Sequence, residues 1–263
     1  VITTTTSADS DVVDGAGGDD TIEVADGLAN ATQSQNVIDL SSIGDSKISD
    51  TGVFASFTNF ENIDVSAEAG DGFELTGDSG DNAITGGGGA DLITGGAGAD
   101  TLTGGAGDDT FVFASEGTDA GKSTVTADVI KDFEETANLG TGSEDIGDLL
   151  DFSGASLSAG SSSGDGNVDG ITNGVITFGD ATLDLADLIE DAFTVLDADG
   201  EYAAFVKGTD SYLVFDGSAT GSSGADGDQL IKLEGVEVAK AVLTGALDGS
   251  VNTDQIALEF AAA

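Results

Sequence analysis

The sequence contains no cysteine, histidine or arginine, and it also lacks proline, methionine and tryptophan. Without cysteine the chain can form neither disulfides nor thiolate metal sites. Without histidine it cannot build the usual nucleophilic triads or an HExxH zinc site. No run of apolar residues is long enough to span a membrane, so the sequence predicts no transmembrane segment.

Basic residues are scarce, because six lysines face 50 acidic residues and leave a formal charge of −44 on 263 residues. Self-repulsion of this size opposes a compact state. A hydrophobic content of 39% is nonetheless too high for a disordered acidic tail. Divalent cations that neutralise part of the charge during folding would reconcile the two facts. So negative a surface should repel nucleic acid and anionic membranes.

Residues 77–112 consist of four consecutive nonapeptides, GDSGDNAIT, GGGGADLIT, GGAGADTLT and GGAGDDTFV. Positions 1 and 4 are glycine in every copy. A nine-residue period with glycines, one polar ligand and one apolar residue in fixed phase predicts a calcium-binding parallel β-roll. Position 6 is Asn82, Asp91, Asp100 and Asp109, and position 8 is Ile84, Ile93, Leu102 and Phe111.

Each position in the nonapeptide has a separate physical role. We expect a turn of six residues followed by a three-residue strand whose inward side chain is position 8. Glycines allow backbone conformations with positive φ and bring main-chain carbonyls close to a cation. Ligation by oxygen alone favours calcium over zinc or iron. The alternative is a flexible glycine-rich linker, which would have no reason to keep these residues in phase.

The nonapeptides resemble the RTX (repeats-in-toxin) family, whose consensus is GGxGxDxUx. The resemblance implies that each calcium ion lies between turns n and n+2. The ion would be bound by the carbonyls at positions 2 and 4 of the earlier turn and by the carbonyls at positions 1 and 3 of the later turn. Both position 6 side chains would complete the site. Asn82 departs from the consensus and should weaken its site, since it removes one charge.

Carried over to this chain, the resemblance predicts two complete calcium sites. The first consists of Asp78, Gly80 and Asn82 with Gly95, Ala97 and Asp100. The second consists of Gly87, Gly89 and Asp91 with Gly104, Ala106 and Asp109. Two further half-sites would need partners beyond residue 112. One consists of Gly96, Gly98 and Asp100, and the other consists of Gly105, Gly107 and Asp109.

A shorter pair of turns precedes the array. TSADSDVVD (6–14) and GAGGDDTIE (15–23) keep the nine-residue phase, with Asp11 and Asp20 at position 6. We interpret residues 1–35 as preceding β-roll turns and a connector, with Asp11 and Asp20 as candidate calcium ligands. An acidic surface hairpin is the alternative.

Between the two repeat segments, the sequence alternates apolar and polar residues with a period of two, which predicts strands with one buried face. We therefore predict a solenoid over 36–113, with an irregular insertion at 44–56. The predicted core residues before the array are Ile38, Leu40, Phe57, Phe60, Ile63, Val65, Phe73 and Leu75.

The segment after the array resembles the C-terminal flank of secreted RTX proteases and surface proteins. It carries a D-x-I-x-D-F motif from Asp128 to Phe133, followed by the strand-like LLDFS of 149–153. The resemblance implies that 114–170 caps the roll and that Asp128 or Asp132 completes the last calcium site. The alternative is that both are exposed strand acids.

Residues 171–263 are predicted to form a mostly β region with one short amphipathic helix at 182–193. Strand candidates are 175–178, 202–208, 211–217 and 229–236. The chain ends in IALEFAAA, which resembles the C-terminal signal of type I secretion substrates. The predicted fold class is all-β: a right-handed parallel β-roll or β-helix followed by this β-rich region.

No catalytic constellation is present, so we expect a protein that is not an enzyme and whose cofactor is Ca²⁺. We predict a secreted structural protein that folds on calcium and self-assembles into a bacterial surface layer or extracellular filament at the cell surface. The alternatives are the secretion and folding domain of an exoenzyme, a protease or lipase, and a segment of a large RTX adhesin. Expected partners are calcium, other copies of the chain and the type I secretion machinery, with a cell-surface glycan as a further candidate.

Overall fold

The computed structural model describes residues 11–24, 36–41, 47–48, 53–70, 72–113, 127–135, 147–152, 158–160, 167–180, 182–196, 200–217, 229–243 and 255–260. Residues 6–10 of the first predicted turn and 261–263 of the predicted secretion signal lie outside these ranges. The chain divides into two compact units, Val1–Val112 and Phe113–Ala263.

The first unit is built from short strands separated by glycine-rich and acidic turns. Each strand of the nonapeptide array has three residues, as the repeat length predicts. The strands of this unit are β1 Asp11–Asp14, β2 Thr21–Glu23, β3 Asn36–Asp39, β4 Lys47–Ile48, β5 Val53–Thr58, β6 Asn62–Asp64, β7 Phe73–Thr76, β8 Ala83–Thr85, β9 Leu92–Thr94, β10 Thr101–Thr103 and β11 Thr110–Val112.

Successive strands of the array alternate between two sheets, and each pairs in parallel with the strand two positions along the chain. One sheet has the order β2-β6-β8-β10, and the other has the order β1-β5-β4-β3-β7-β9-β11. In the array the register matches position 8 to position 8, so Ile84 lies beside Leu102 and Ile93 beside Phe111. This is the parallel β-roll that the sequence predicts.

The position 8 side chains form the core of the roll. Ile84, Ile93, Leu102 and Phe111 are all fully buried. Burying such a side chain contributes about 1.5–3 kcal/mol, so a strand with only one inward residue still gains from joining the stack. Six of the eight core residues predicted before the array are also buried. The exceptions are Leu40 and Phe60, which are half-buried.

The N-terminal turns belong to the same stack as the array. β1 pairs in parallel with β5, and β2 pairs in parallel with β6. Because β1 and β2 lie in different sheets, the alternative of a hairpin between them is excluded. The predicted irregular insertion at 44–56 contains β4 and part of β5, which run antiparallel to each other.

The second unit contains a mixed sheet with the order β15-β16-β17-β18-β19-β12 and a three-stranded antiparallel set β13-β21-β20. β14 pairs with β17. The predicted secretion signal contributes β21, in which Ile256, Ala257 and Leu258 are buried. The elements are β12 Asp128–Ile130, β13 Leu149–Asp151, β14 Ser158–Ala159, β15 Val168–Thr172, β16 Val175–Phe178, α1 Leu185–Thr194, β17 Glu201–Lys207, β18 Asp210–Asp216, β19 Gln229–Leu233, β20 Val238–Leu243 and β21 Gln255–Phe260.

Helix α1 begins three residues later than the sequence predicts. Asp184 is its N-cap, and the Asp184 carboxylate accepts a 3.0 Å hydrogen bond from the Asp187 amide, which satisfies a free donor of the first turn. The helix buries Leu188, Ile189 and Ala192 against the second unit's core. Within the described ranges, no helix has the length and apolar character needed to cross a membrane.

Candidate metal centre

The turns of the array stack in pairs, and the stacking brings together the two halves of each predicted calcium site. The Ala97 amide donates to the Asp78 carbonyl at 3.2 Å. One turn further along, the Ala106 amide donates to the Gly87 carbonyl at 2.9 Å. The turn at 77–82 therefore contacts the turn at 95–100, and 86–91 contacts 104–109.

The position 6 residues meet at the ends of these stacked turns. The Asn82 amide donates to Asp100 Oδ1 at 2.8 Å, and the Asp91 amide donates to Asp109 Oδ1 at 2.8 Å. Both contacts join residues 18 positions apart in the chain. The structure thus pairs Asn82 with Asp100 and Asp91 with Asp109, which is the offset of two turns that the resemblance implies.

The Asp91 carboxylate is held from two sides. Its Oδ2 accepts the Gly87 amide of its own turn at 2.7 Å, and its Oδ1 accepts the Phe73 amide of the preceding coil at 2.7 Å. These bonds fix the orientation of the carboxylate before any ion binds. Phe73, which occupies position 6 in the phase of its own segment, contributes its backbone to this contact, and its buried ring packs in the core.

Asn82 has a structural role that an aspartate cannot fill. Its Oδ1 accepts the Asp78 amide at 2.8 Å, while its Nδ2 donates to the Glu61 carbonyl at 2.7 Å. A carboxylate has no proton to donate to that carbonyl. The amide therefore links the array to the coil before it, and it removes one negative charge from the first predicted site.

The position 6 side chains are buried in a part of the sequence that contains no basic residue. Asn82, Asp91, Asp100 and Asp109 are 1–3% exposed. No lysine or arginine occurs between residues 48 and 121. A buried carboxylate is strongly destabilising unless it is paired or binds a metal. The residues present therefore fit a cation at this end of each turn.

The other oxygens predicted to surround such an ion are main-chain carbonyls. Among the described residues, no three acidic side chains come together as a metal-binding group. Glycines at positions 2 and 4 of the later turns, Gly96 and Gly98, have φ of 107° and 120°. They pack directly on the backbones of Asp78 and Gly80, so the predicted carbonyl donors of the two turns lie next to each other. Gly105 and Gly107 pack in the same way on Gly87 and Gly89.

Burial raises the pKa of Asp91 from 3.8 to about 6, although hydrogen bonds from the Gly87 and Phe73 amides act in the opposite direction. Because the folded pKa is raised, protonation of Asp91 favours the metal-free fold. The associated stability is complete below pH 3.8 and is lost as the pH rises through about 6. A bound cation reverses this preference, since it favours the ionised carboxylate.

Calcium binding should therefore weaken in mild acid. At pH 5 a proton competes for Asp91, and a group with a pKa of about 6 makes the apparent affinity of its site about tenfold lower than at pH 7.5. Calcium titrations at the two pH values, followed by far-ultraviolet circular dichroism, measure this shift. A calcium midpoint that is the same at both values would contradict the assignment of Asp91 as a ligand.

The glycine at position 1 is required by the position 6 side chain of the same turn. A Cβ at that position would collide with the carboxylate or amide oxygen that the turn holds. The colliding pairs are Gly77 with Asn82, Gly86 with Asp91, Gly95 with Asp100, and Gly104 with Asp109.

We expect Gly95→Ala to destabilise the roll, because its methyl group would displace the Asp100 carboxylate. Overpacking of this kind costs about 1–3 kcal/mol. Gly17→Ala is the matched control, since a Cβ there meets no atom within 4 Å. Thermal unfolding in millimolar calcium should show a lower melting temperature for Gly95→Ala only, and equal melting temperatures would contradict this account.

The other predicted ligands occupy different surroundings. Asp11 begins β1, where only its backbone is described. Asp128 begins β12 in the second unit and is 4% exposed, so the alternative of an exposed acid is wrong for it. Its role in the last calcium site stays a prediction. Asp20 lies beside Glu61, a residue that the repeat pattern does not mark because it falls between the two repeat segments.

A family model for the RTX calcium-binding nonapeptide repeat matches four copies in this chain, over residues 5–27 and 76–111. The matched residues include the N-terminal pair of turns as well as the array. No curated protein matches the chain. Repeats of this family bind calcium ions, and the proteins that carry them are typically secreted. The stacked turns, their paired position 6 residues and this match together show that the chain carries RTX calcium-binding nonapeptide repeats.

Proposed function

We propose that this chain is a structural protein, without enzymatic activity, that folds on calcium outside the cell and assembles into a bacterial surface layer or extracellular filament. The observation that carries the proposal is the set of buried position 6 carboxylates, Asp91, Asp100 and Asp109, in a segment without basic residues. Cations bound at these carboxylates would stabilise the segment as a β-roll, because they would offset the cost of burying the charges.

Calcium dependence suits export through a type I secretion pathway. Extracellular modules bind calcium with dissociation constants of roughly 10⁻⁴–10⁻³ M. At the low free calcium of a cytosol the sites would be empty and the negatively charged chain would stay unfolded. Folding would follow once the chain reaches millimolar calcium outside the cell.

Surplus acidic residues on the roll support assembly between copies. Position 5 of three turns carries an exposed carboxylate, at Asp19, Asp81 and Asp108. Their exposure leaves them accessible to a second molecule, although Asp81 Oδ1 also accepts the Ala99 amide of the stacked turn at 2.9 Å. Calcium ions shared between such carboxylates would join copies that otherwise repel each other, given a formal charge of −44 on each.

Electron microscopy of the purified chain tests the assembly. In millimolar calcium we expect regular sheets or filaments, and in EGTA we expect dispersed chains. The same concentration of magnesium is the control, because magnesium prefers a smaller octahedral site and retains its water ligands. A chain that folds in calcium yet stays monomeric at high protein concentration would overturn the assembly proposal. Binding of that monomer to host cells would support an adhesin segment, and a protease or lipase sequence directly upstream would support an exoenzyme.

A further inference from the structure

Strand β21 occupies an internal position in the second unit, although it is the last described strand along the chain. It lies between β13 and β20 and runs antiparallel to both. On the β13 side, Gln255 Nε2 donates to Asp151 Oδ2 at 2.8 Å, a contact between residues 104 positions apart. On the other side, β20 has no further neighbour in this sheet among the described strands. β21 therefore joins two strands that do not pair with each other.

Both faces of β21 are covered. Ile256, Ala257 and Leu258 are consecutive residues, and all three are fully buried. Because successive side chains of a strand point to opposite faces, neither face is open to solvent over these residues. Ile256 lies beside Leu150 of β13, and Leu258 lies beside Ala241 of β20. The space between β13 and β20 therefore fits an extended segment with apolar side chains on both faces.

The two neighbours of β21 are themselves attached to the mixed sheet. In β20, the Ala241 amide donates to the Asn173 carbonyl, in the turn between β15 and β16, at 2.9 Å. The Tyr202 hydroxyl of β17 donates to the Ala241 carbonyl at 3.5 Å. Next to β13, the ring of Phe152 lies 4.8 Å from the ring of Phe215 in β18. Loss of β21 would therefore disturb the mixed sheet through both of its neighbours.

The order of the elements along the chain delays the closure of the second unit. All the other described strands of this unit precede β21. Pairing of β13 with β21 closes a long loop, and contacts of this kind form only after the entropy cost of the loop has been met. Until residues 255–260 are available, Leu150, Val238 and Ala241 lack the strand that lies beside them in the folded unit.

We propose that the space between β13 and β20 is a peptide-binding site that β21 fills as the final step of folding, so that the second unit stays incomplete while residues 255–260 are absent. The site recognises an extended segment by main-chain hydrogen bonds along two antiparallel edges and by its buried apolar side chains. Asp151 fixes the register, because it accepts the hydrogen bond from Gln255. The inference goes beyond the proposed function, since it concerns the second unit and requires neither calcium binding by the array nor assembly.

A single cut before β21 tests the site with the whole chain present. The sequence contains no arginine, so Asn252→Arg lets an arginine-specific protease cut only after residue 252. The variant is cut while unfolded and is then refolded together with its fragment 253–263. We expect the fragment to stay bound, and a labelled synthetic peptide of the same sequence to replace it. A peptide with Ala257→Asp is the control and should bind at least about 100-fold more weakly, because it would bury an unpaired charge.

Hydrogen exchange of the cut chain shows whether β13 and β20 depend on the fragment. Peptides that cover 149–151 and 238–243 should be protected while the fragment is bound, and should lose protection when dilution releases it. Unchanged protection after release, no binding of the fragment, or equal binding of the Ala257→Asp peptide would overturn the inference.

Variants of the uncut chain give an independent measurement. Ala257→Asp should abolish the cooperative unfolding of the second unit, followed by hydrogen exchange of the same peptides. Thr177→Asp adds the same charge at an exposed position of β16 and should retain it. If Ala257→Asp unfolds like the unmodified chain, β21 is not required and the inference is wrong.

Discussion

Chelation of calcium should unfold the β-roll. At free calcium 100-fold above the dissociation constant, each site contributes about 2.7 kcal/mol, so the two complete sites predicted in the array contribute about 5 kcal/mol. A typical domain has only about 5–15 kcal/mol of net stability. Loss of the ions also removes the cations that would offset the burial of Asp91, Asp100 and Asp109. The expected loss is therefore as large as the whole stability of a domain at the lower end of this range.

The measurement is far-ultraviolet circular dichroism together with the hydrodynamic radius, before and after EGTA, and again after calcium is restored. We expect loss of the β signal, an increase in radius and recovery on adding calcium. Potassium chloride at the same ionic strength separates ion binding from general screening of the charge of −44. The same spectrum and radius with and without EGTA would contradict the calcium sites and the folding mechanism together.

Asp91→Ala should raise the calcium concentration required for folding by tenfold or more. The substitution removes one of the two carboxylates of the second predicted site. It also leaves the amides of Gly87 and Phe73 without their acceptor, and an unsatisfied buried donor costs about 1–3 kcal/mol. The calcium midpoint of folding, followed by circular dichroism, measures the combined loss.

Two further substitutions separate the causes. Asp91→Asn keeps an acceptor oxygen and removes only the charge, so its midpoint should lie between those of Asp91→Ala and the unmodified chain. Asp108→Ala removes the same charge from an exposed position and should leave the midpoint nearly unchanged. Equal midpoints for Asp91→Ala and Asp108→Ala would show that Asp91 is not a ligand.

The sequence predicts the array well because one period fixes three features at once. Position 8 defines the core, position 6 defines the paired side chains, and the nine-residue length makes each strand pair with the strand two positions later. Ile93 beside Phe111 and Asp91 beside Asp109 follow from this spacing alone. Local sequence determines these contacts, since each joins residues in equivalent positions of nearby repeats.

Contacts that break the period are not predictable in this way. β4 and β5 pair antiparallel inside a stretch in which apolar and polar residues do not alternate. Their pairing within the sheet, and not a sequence pattern, makes them strands. Glu61 meets Asp20 across 41 residues and in a turn of different length, so no spacing rule connects them. The predicted start of α1 is too early, because Asp184 is the N-cap and the helix begins only after it. An aspartate directly before an apolar helical run is the sequence signal for this start.

The offset of two turns between hydrogen-bonded strands also restricts how this chain can change its length. Deletion of a single nonapeptide would move the later strands of the array to the opposite sheet. Deletion or duplication of 18 residues, the separation of the paired position 6 residues, returns each strand to an equivalent neighbour. We therefore expect related arrays to gain and lose repeats in even numbers, so that the roll can lengthen while the segments at its two ends keep their partners.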